Sequence, residues 1–432
     1  MKVRLLGRFS VFIAVARNYF KVGLETKRAG SRSCQASREG SDVSDRYPRS
    51  CARNSGLKVL GKPSESTILG WLPALDGLRA LAILAVLIHH GNTVHFSNWA
   101  LGNAGVAIFF SISGFLAYFV LSRDEQKLGA VDYNYFLLRR IFRIWPTYFV
   151  IIGLALYMAA PTQLATTDHF PLFTFTANWH QAAHLPSQLT TLSMLWSIAV
   201  EEQFYVLAPF MYRALRSRHW MAFSISILLL SNAGRLLYAA FSAGSLYYLT
   251  YSYADIFLGG ALAAKWYIKG GRLSRAMQYC LSISSLCVIV MVLRLWGPSV
   301  GPPYSLSSLL PYPILGIAAA GLLMSVAQNQ TLFDSILSSA PMKWVGDLSY
   351  SLYLIHITVI MALVERLAMP SATWRFNLIY FPTCLAVAFL LRWADTWIQD
   401  RLRRNVQLIG IRWPAMLMWS LFVLGLLNFF RQ

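Results

Sequence analysis

Residues 75–90 read Leu75-Asp76-Gly77-Leu78-Arg79-Ala80-Leu81-Ala82-Ile83-Leu84-Ala85-Val86-Leu87-Ile88-His89-His90. From Ala80 to Ile88 every side chain is apolar, no Gly or Pro interrupts the run, and ionisable groups stand at both ends. Such a stretch predicts a membrane-crossing helix rather than a strand. An ionisable side chain within a membrane helix is costly and by default marks a functional site. Arg79 and His90 are eleven positions apart, which at about 100° per residue puts them within roughly 20° of one face, separated by a rise of about 16.5 Å. His89 points off that face. Arg79 as a lipid-facing snorkelling residue and His90 as an interfacial cap is the competing account.

Outward from this helix the chain keeps the same character. Of 432 residues, 56% are apolar and 13% charged, about half the charged share of a soluble domain. Five cysteines are too few for a disulfide scaffold, the aromatic content is too high for a disordered chain, and heptads are absent. Apolar segments recur at about 72–91, 100–121, 141–160, 191–211, 220–240, 247–266, 276–296, 308–327, 344–364, 377–397 and 412–430. The expected fold is therefore all-α, a polytopic transmembrane helical bundle of about 10–11 spans.

The net charge of +20 tests that topology. If the segments cross a bilayer, Lys and Arg should crowd alternate gaps. They do: 31 of the 38 basic residues fall on one side, which includes the N-terminus, and three on the other. The basic side is the cytoplasm by the positive-inside rule. The charge excess is thereby a matter of topology, and nucleic acid is not needed as a partner; the lipid bilayer is. Residues 1–65 are basic, rich in Ser, Arg and Gly, and read as a disordered N-terminal extension. A cleaved signal and a surface-lying anchor are the alternatives for its first residues. Residues 66–404 form the expected membrane domain and 405–432 an additional C-terminal span.

Other spans carry polar groups of their own. Glu201 and Glu202 lie in Trp196-Ser197-Ile198-Ala199-Val200-Glu201-Glu202-Gln203-Phe204-Tyr205, close to mid-membrane, and at about 100° apart at most one addresses a given site. A salt bridge to Arg79 or Arg235 is the structural alternative. Ser111, Ser113 and Gly114 read as packing residues that let helices approach. Arg139, Arg140 and Arg143 either hold phosphates or anchor a cytoplasmic helix end. Gly346-Asp347-Leu348-Ser349-Tyr350-Ser351 leads to His356, also within the membrane. The segment from Pro161 to Thr190, with Asp168, His169, His180 and His184, reads as an outer loop without metal-ligand spacing. Cys280 and Cys287 read as packing residues.

Taken in order, these stretches resemble the acyltransferase-3 family of integral membrane O-acyltransferases. The resemblance runs from about Leu72 to Arg404 and rests on Leu75-Asp76-Gly77-Leu78-Arg79 with His90, Val106 to Leu116, Arg140-Ile141-Phe142-Arg143-Ile144 with Pro146, Trp196 to Tyr205, Asp255 with Gly259, and Gly346 to His356. It implies that Arg79 and His90 are required for activity, that Arg140 and Arg143 engage acyl-CoA, and that an acyl group passes to a hydroxyl acceptor at or beyond the membrane. Acetyl, from acetyl-CoA, is the family's commonest acyl group. An eleventh span departs from the usual ten-span core, and residues 1–65 match nothing in the family.

The expectation is then a multi-pass enzyme of the inner (cytoplasmic) membrane that acylates a hydroxyl of a cell-envelope or exported glycan. Arg140, Arg143 and Arg79 would hold the donor's phosphates, His90 would act as general base or carry the acyl group, and Glu201 would orient or charge-balance the imidazole. No metal is called for. A transporter or flippase of a glycan or lipid-linked sugar is the rival, since ionisable residues also line transport paths, although the halves show no clear inverted repeat. A membrane-embedded interaction protein with a basic tail is a third reading. Acceptor identity and oligomeric state are not legible.

Overall fold

The computed structural model describes residues 72–91, 101–159, 168–183, 190–242, 244–295, 309–370, 373–406 and 414–431. The extension expected over residues 1–65 lies outside them, as does His184. The described residues form helices and no strand. Eleven of the helices correspond to the eleven expected segments: α1 (Pro73–His90), α2 (Leu101–Leu128), α3 (Tyr133–Met158), α4 (Leu195–Arg216), α5 (Trp220–Phe241), α6 (Ala254–Ile268), α7 (Arg275–Leu295), α8 (Pro311–Val326), α9 (Ala340–Met361), α10 (Trp374–Val406) and α11 (Pro414–Arg431). Seven of these, α1, α2, α3, α5, α7, α9 and α10, are long and apolar enough to cross a membrane. The protein is an all-α, multi-pass membrane bundle.

Local sequence explains the ends of several helices. Pro73 opens α1 at a position where its missing N–H costs nothing. The Asp132 carboxylate accepts from the Tyr135 N–H at 2.9 Å and caps α3. Pro146, Pro209 and Pro382 sit inside α3, α4 and α10, which a membrane bundle tolerates because neighbouring groups re-satisfy the freed carbonyls.

Burial separates inner from outer helices. Of the most apolar stretch of α2, 83% is buried inside the bundle, against 17% for α5 and 22% for α10. So α2 is central, and α5 and α10 turn most of their apolar surface outward. The centre is held by backbone contact. A Cβ on Gly114 would lie 2.0 Å from the Phe257 carbonyl oxygen, and one on Gly260 would lie 1.9 Å from that of Ser111; α2 and α6 can cross this closely only because both positions lack a side chain. Gly346 does the same for α9, where a Cβ would meet the Asp76 oxygen of α1 at 2.0 Å.

Two departures from the expected layout shape the interior. The segment 247–266 is not one helix: short 3-10 turns at Leu246–Tyr248 and Thr250–Tyr253 precede α6. Irregular backbone at membrane depth is tolerated where protein covers it or a cavity adjoins it, and Tyr248 does line a cavity. The supposed outer loop also folds back onto the bundle. A short helix at Ala177–Ala183 packs beside α4, another at Phe170–Phe173 packs beside the first and α11, and Asn178, fully buried, donates to the Tyr248 carbonyl and to Thr250 Oγ1 at 3.0 Å each. Cys280 and Cys287 face outward from α7 and take no part in the core.

Candidate functional site

Helical spacing gathers one cluster from five helices. Ser197, Glu201 and Tyr205 recur every four residues and share one face of α4, Arg140 and Arg143 share a face of α3, and Ser349, Tyr350 and Tyr353 share a face of α9. These residues line a cavity of about 70 Å³ together with Arg79 of α1 and Ser113 of α2. Arg79 is paired with Asp76 at 3.7 Å. Arg140 is buried, with its guanidinium 4.6 Å from the centroid of the Tyr205 ring and 5.5 Å from that of Phe136. Arg143 is exposed. Three guanidiniums thus stand on one cavity wall, and among the described residues no carboxylate forms an ion pair with Arg140 or Arg143. Such an arrangement suits an anionic ligand, most of all at Arg140, where a desolvated, unneutralised guanidinium gains most from a phosphate or carboxylate.

The acidic member of this cavity is held by hydroxyls. Glu201 Oε1 accepts from Ser113 Oγ and, at 2.5 Å, from the Tyr205 hydroxyl, and Tyr205 lies 3.2 Å from Ser113 Oγ. Glu202 points elsewhere: its Oε2 accepts from Trp145 Nε1 at 3.2 Å. Neither carboxylate bridges to Arg235, whose fully buried guanidinium donates to Asp255 at 2.6 Å and to the Ser252 carbonyl at 2.7 Å. The expected salt-bridge alternative for Glu201 is therefore taken by Asp255, a residue of α6 whose charge the bundle neutralises on the spot.

A second cavity, of about 190 Å³, adjoins the first, and Val106 and Tyr353 line both. Its wall carries His89, His90, Asn103, Gln181, Ser193, Trp196, Tyr247, Tyr248 and Tyr353, and among the described residues no acidic one. The Tyr247 hydroxyl donates to Asn103 Oδ1 at 2.8 Å, and the Trp196 ring lies 4.7 Å from that of Tyr247. His90 Nδ1 lies 3.0 Å from the Val86 carbonyl oxygen. A carbonyl only accepts, so in the neutral ring Nδ1 carries the hydrogen and Nε2 keeps the basic lone pair. His90 is exposed, so that lone pair is open to whatever enters.

Arg79, Arg140, Arg143 and Glu201 thus meet in the first cavity, while His90 belongs to the second. The helix α1 contributes Arg79 to the first cavity and His90 to the second. Glu201 is not brought to His90; its oxygen is occupied by Ser113 and Tyr205, and the His90 Nδ1 by Val86. Ser113, read from sequence as a packing residue, is part of the site, while its neighbour Gly114 does serve packing. Tyr205, Ser197 and Tyr353 were not singled out by sequence; the signal available was their spacing of four from Glu201 and of three from His356. Among the described residues no group of three His, Cys, Asp or Glu side chains is placed to hold a metal ion.

Comparison with known proteins adds the family context. A family described as "Acyltransferase domain" matches residues 72–393. A Listeria monocytogenes protein named peptidoglycan O-acetyltransferase OatA is 30% identical over 359 residues, covering 76% of this chain and 56% of its own. The Bacillus subtilis protein YrhL, provisionally named a peptidoglycan O-acetyltransferase, is 29% identical over 342 residues, covering 73% of this chain and 53% of its own. The chain therefore spans about half the length of these curated relatives. No solved structure matches it significantly.

Proposed function

Because the chain belongs to this family of membrane acyltransferases, we propose that it moves an acetyl group from acetyl-CoA, or another acyl-CoA, to a hydroxyl of a cell-envelope glycan. The observation that carries the proposal is the pair of adjoining cavities: one lined by Arg79, Arg140 and Arg143, the other by His90, with Tyr353 in the wall of both. The guanidiniums suit the phosphates of the donor. Aromatic rings and amides, here Trp196, Tyr247, Tyr248, Asn103 and Gln181, suit a sugar, which offers apolar faces and many hydroxyls. The relatives' names point the same way, to peptidoglycan as an acceptor.

Transfer then needs three events in one place. His90 Nε2 takes the proton of the acceptor hydroxyl, the oxygen attacks the thioester carbonyl carbon, and the carbon–sulfur bond breaks to release a thiolate that recovers the proton. Water must be kept from the thioester meanwhile, and the narrowness of the donor cavity, about 70 Å³, favours that. The excess of basic residues on one predicted side supports a cytoplasmic N-terminus and a donor drawn from the cytoplasm. On this reading residues 66–404 are the catalytic domain of an enzyme of the cytoplasmic membrane, residues 1–65 a dispensable extension and residues 405–432 an added span.

The test is transfer of label from acetyl-CoA to envelope glycan in membranes carrying the protein. His90→Ala is expected to abolish it. Full transfer by His90→Ala at normal expression would overturn the proposal.

A further inference from the structure

His356 lies on α9, is fully buried, and has no part in either cavity wall. Its ring nevertheless packs against that of His90, with centroids 4.9 Å apart and planes inclined by 59°. The helices α9 and α1 also meet closely at Gly346 and Asp76, nearer their N-termini. The Nδ1 of His356 lies 2.6 Å from the Tyr353 carbonyl oxygen, so Nδ1 carries the hydrogen and Nε2 the lone pair. That Nε2 is sealed from solvent and, among the described residues, has no hydrogen-bond partner.

A buried acceptor without a donor destabilises the fold, and a phenylalanine would fill the same space without that cost. An orphaned polar atom in a folded protein calls for a reason. The donor it lacks is one that the reaction itself would create: an imidazolium at His90. Both rings are tethered through Nδ1 to carbonyls of their own helices, so both present their Nε2 edges away from the backbone.

We propose that His356 is a positioning residue for His90, holding the plane of its ring and offering a lone pair to the imidazolium formed during transfer. The proposal rests on the reading of His90 as the base. In the ground state both rings are neutral. When His90 takes the acceptor proton it becomes a cation in a cavity whose described lining has no carboxylate, and His356, its ring centroid 4.9 Å from that of His90, offers a neutral acceptor. The other titratable groups around the pair are His89 on α1, Tyr353 on α9, Tyr247 and Tyr248 in the cavity wall and Tyr380 of α10 beside Gly91. Each of the tyrosines is neutral near pH 7, so none supplies the missing negative charge.

His356→Phe keeps a ring of similar size and removes the lone pair. In the full chain in membranes it is expected to lower kcat at least ten-fold, to leave KM for acetyl-CoA within two-fold, and to move the acid limb of the pH–rate profile to lower pH, because the protonated base loses its acceptor. A merely structural role would lower the amount of active enzyme without moving that limb. Wild-type kcat with an unmoved profile would overturn the inference. A second measurement covers a variant that fails to fold: in ¹⁵N-histidine-labelled wild-type protein at neutral pH, His356 should carry its hydrogen on Nδ1, and an Nε2-protonated or charged His356 would be fatal. Failure of the functional reading is separable, since it shows in His90→Ala retaining activity, whereas an inactive His90→Ala beside an unaffected His356→Phe refutes only the role of His356.

Discussion

The Ser197 hydroxyl donates to the Tyr353 hydroxyl at 2.7 Å in the wall that separates the cation-lined cavity from the one holding His90. Both hydroxyls also lie 3.2 Å from the Met194 carbonyl oxygen. With the Ser197 hydrogen used on Tyr353, the Tyr353 hydrogen is the one that either meets Met194 or turns to a carbonyl oxygen arriving from the donor side. Tyr353→Phe leaves the ring packed and Ser197 still able to bond Met194. Stability should change by only about 1 kcal/mol, the net worth of an ordinary hydrogen bond. Turnover should fall by about 10²-fold, the usual effect of removing one donor to a developing oxyanion. Steady-state acetyl transfer beside a thermal unfolding curve separates the two effects; an unchanged kcat would exclude the hydroxyl from the chemistry.

Glu201 is expected to act on the donor side and not through His90. Its carboxylate is bound by Ser113 and Tyr205, and Tyr205 in turn lies under the Arg140 guanidinium. Glu201→Gln keeps an acceptor for one hydroxyl but removes the charge among three arginines. We expect KM for acyl-CoA to shift by several-fold with kcat reduced, while the acid limb of the pH–rate profile stays where it is in the wild type. A displaced limb would mean that Glu201 does couple to the imidazole.

The helices were legible in the sequence because a bilayer demands long apolar runs, and the eleven runs reappear as eleven helices. The site was legible in part for the same reason: Arg79, His90 and Glu201 are conspicuous as ionisable groups where none is welcome, and Arg140 and Arg143 as a basic cluster at a helix end. What stayed hidden is what a bilayer does not penalise. Ser113 and Tyr205 are ordinary residues of a membrane helix, and only the fold reveals that both reach Glu201. The turns at 246–253 were hidden in an apolar run that any helix could have continued. The return of residues 168–183 onto α4 depends on Asn178 and Gln203 finding each other across the bundle, at 2.9 Å, which no local pattern announces.

The Arg235 and Asp255 pair is expected to hold the bundle together without touching the chemistry. Both side chains are buried, Arg235 is further bound to Asn232 and Ser252, and its guanidinium sits 5.0 Å from the Tyr312 ring centroid. Removing one partner leaves an uncompensated buried charge, at a cost of about 3–5 kcal/mol. Asp255→Asn and Arg235→Met should each lower the unfolding temperature in detergent sharply, while the double variant should lose less than the sum of the two. Activity per folded molecule should be near wild type in all three. Additive losses would show that the two charges do not act as a pair.

Arg140 and Arg143 are expected to respond differently to the same conservative change. Arg140 is buried and its planar guanidinium lies over the Tyr205 ring, so a lysine there gives up the stacking and the fork of donors together. Arg143 is exposed at the cavity wall, where a lysine still presents a positive charge to a phosphate. Arg140→Lys should therefore raise KM for acyl-CoA by about ten-fold or more, which corresponds to roughly 1.4 kcal/mol, and Arg143→Lys by no more than two- to three-fold. Charge removal at Arg143, by Arg143→Gln, should weaken donor binding and flatten its dependence on salt. Binding of labelled acyl-CoA to purified protein at two ionic strengths measures all three. Equal effects of the two lysine substitutions would mean that the donor sees only net charge, and that the stacking of Arg140 on Tyr205 is a packing contact alone.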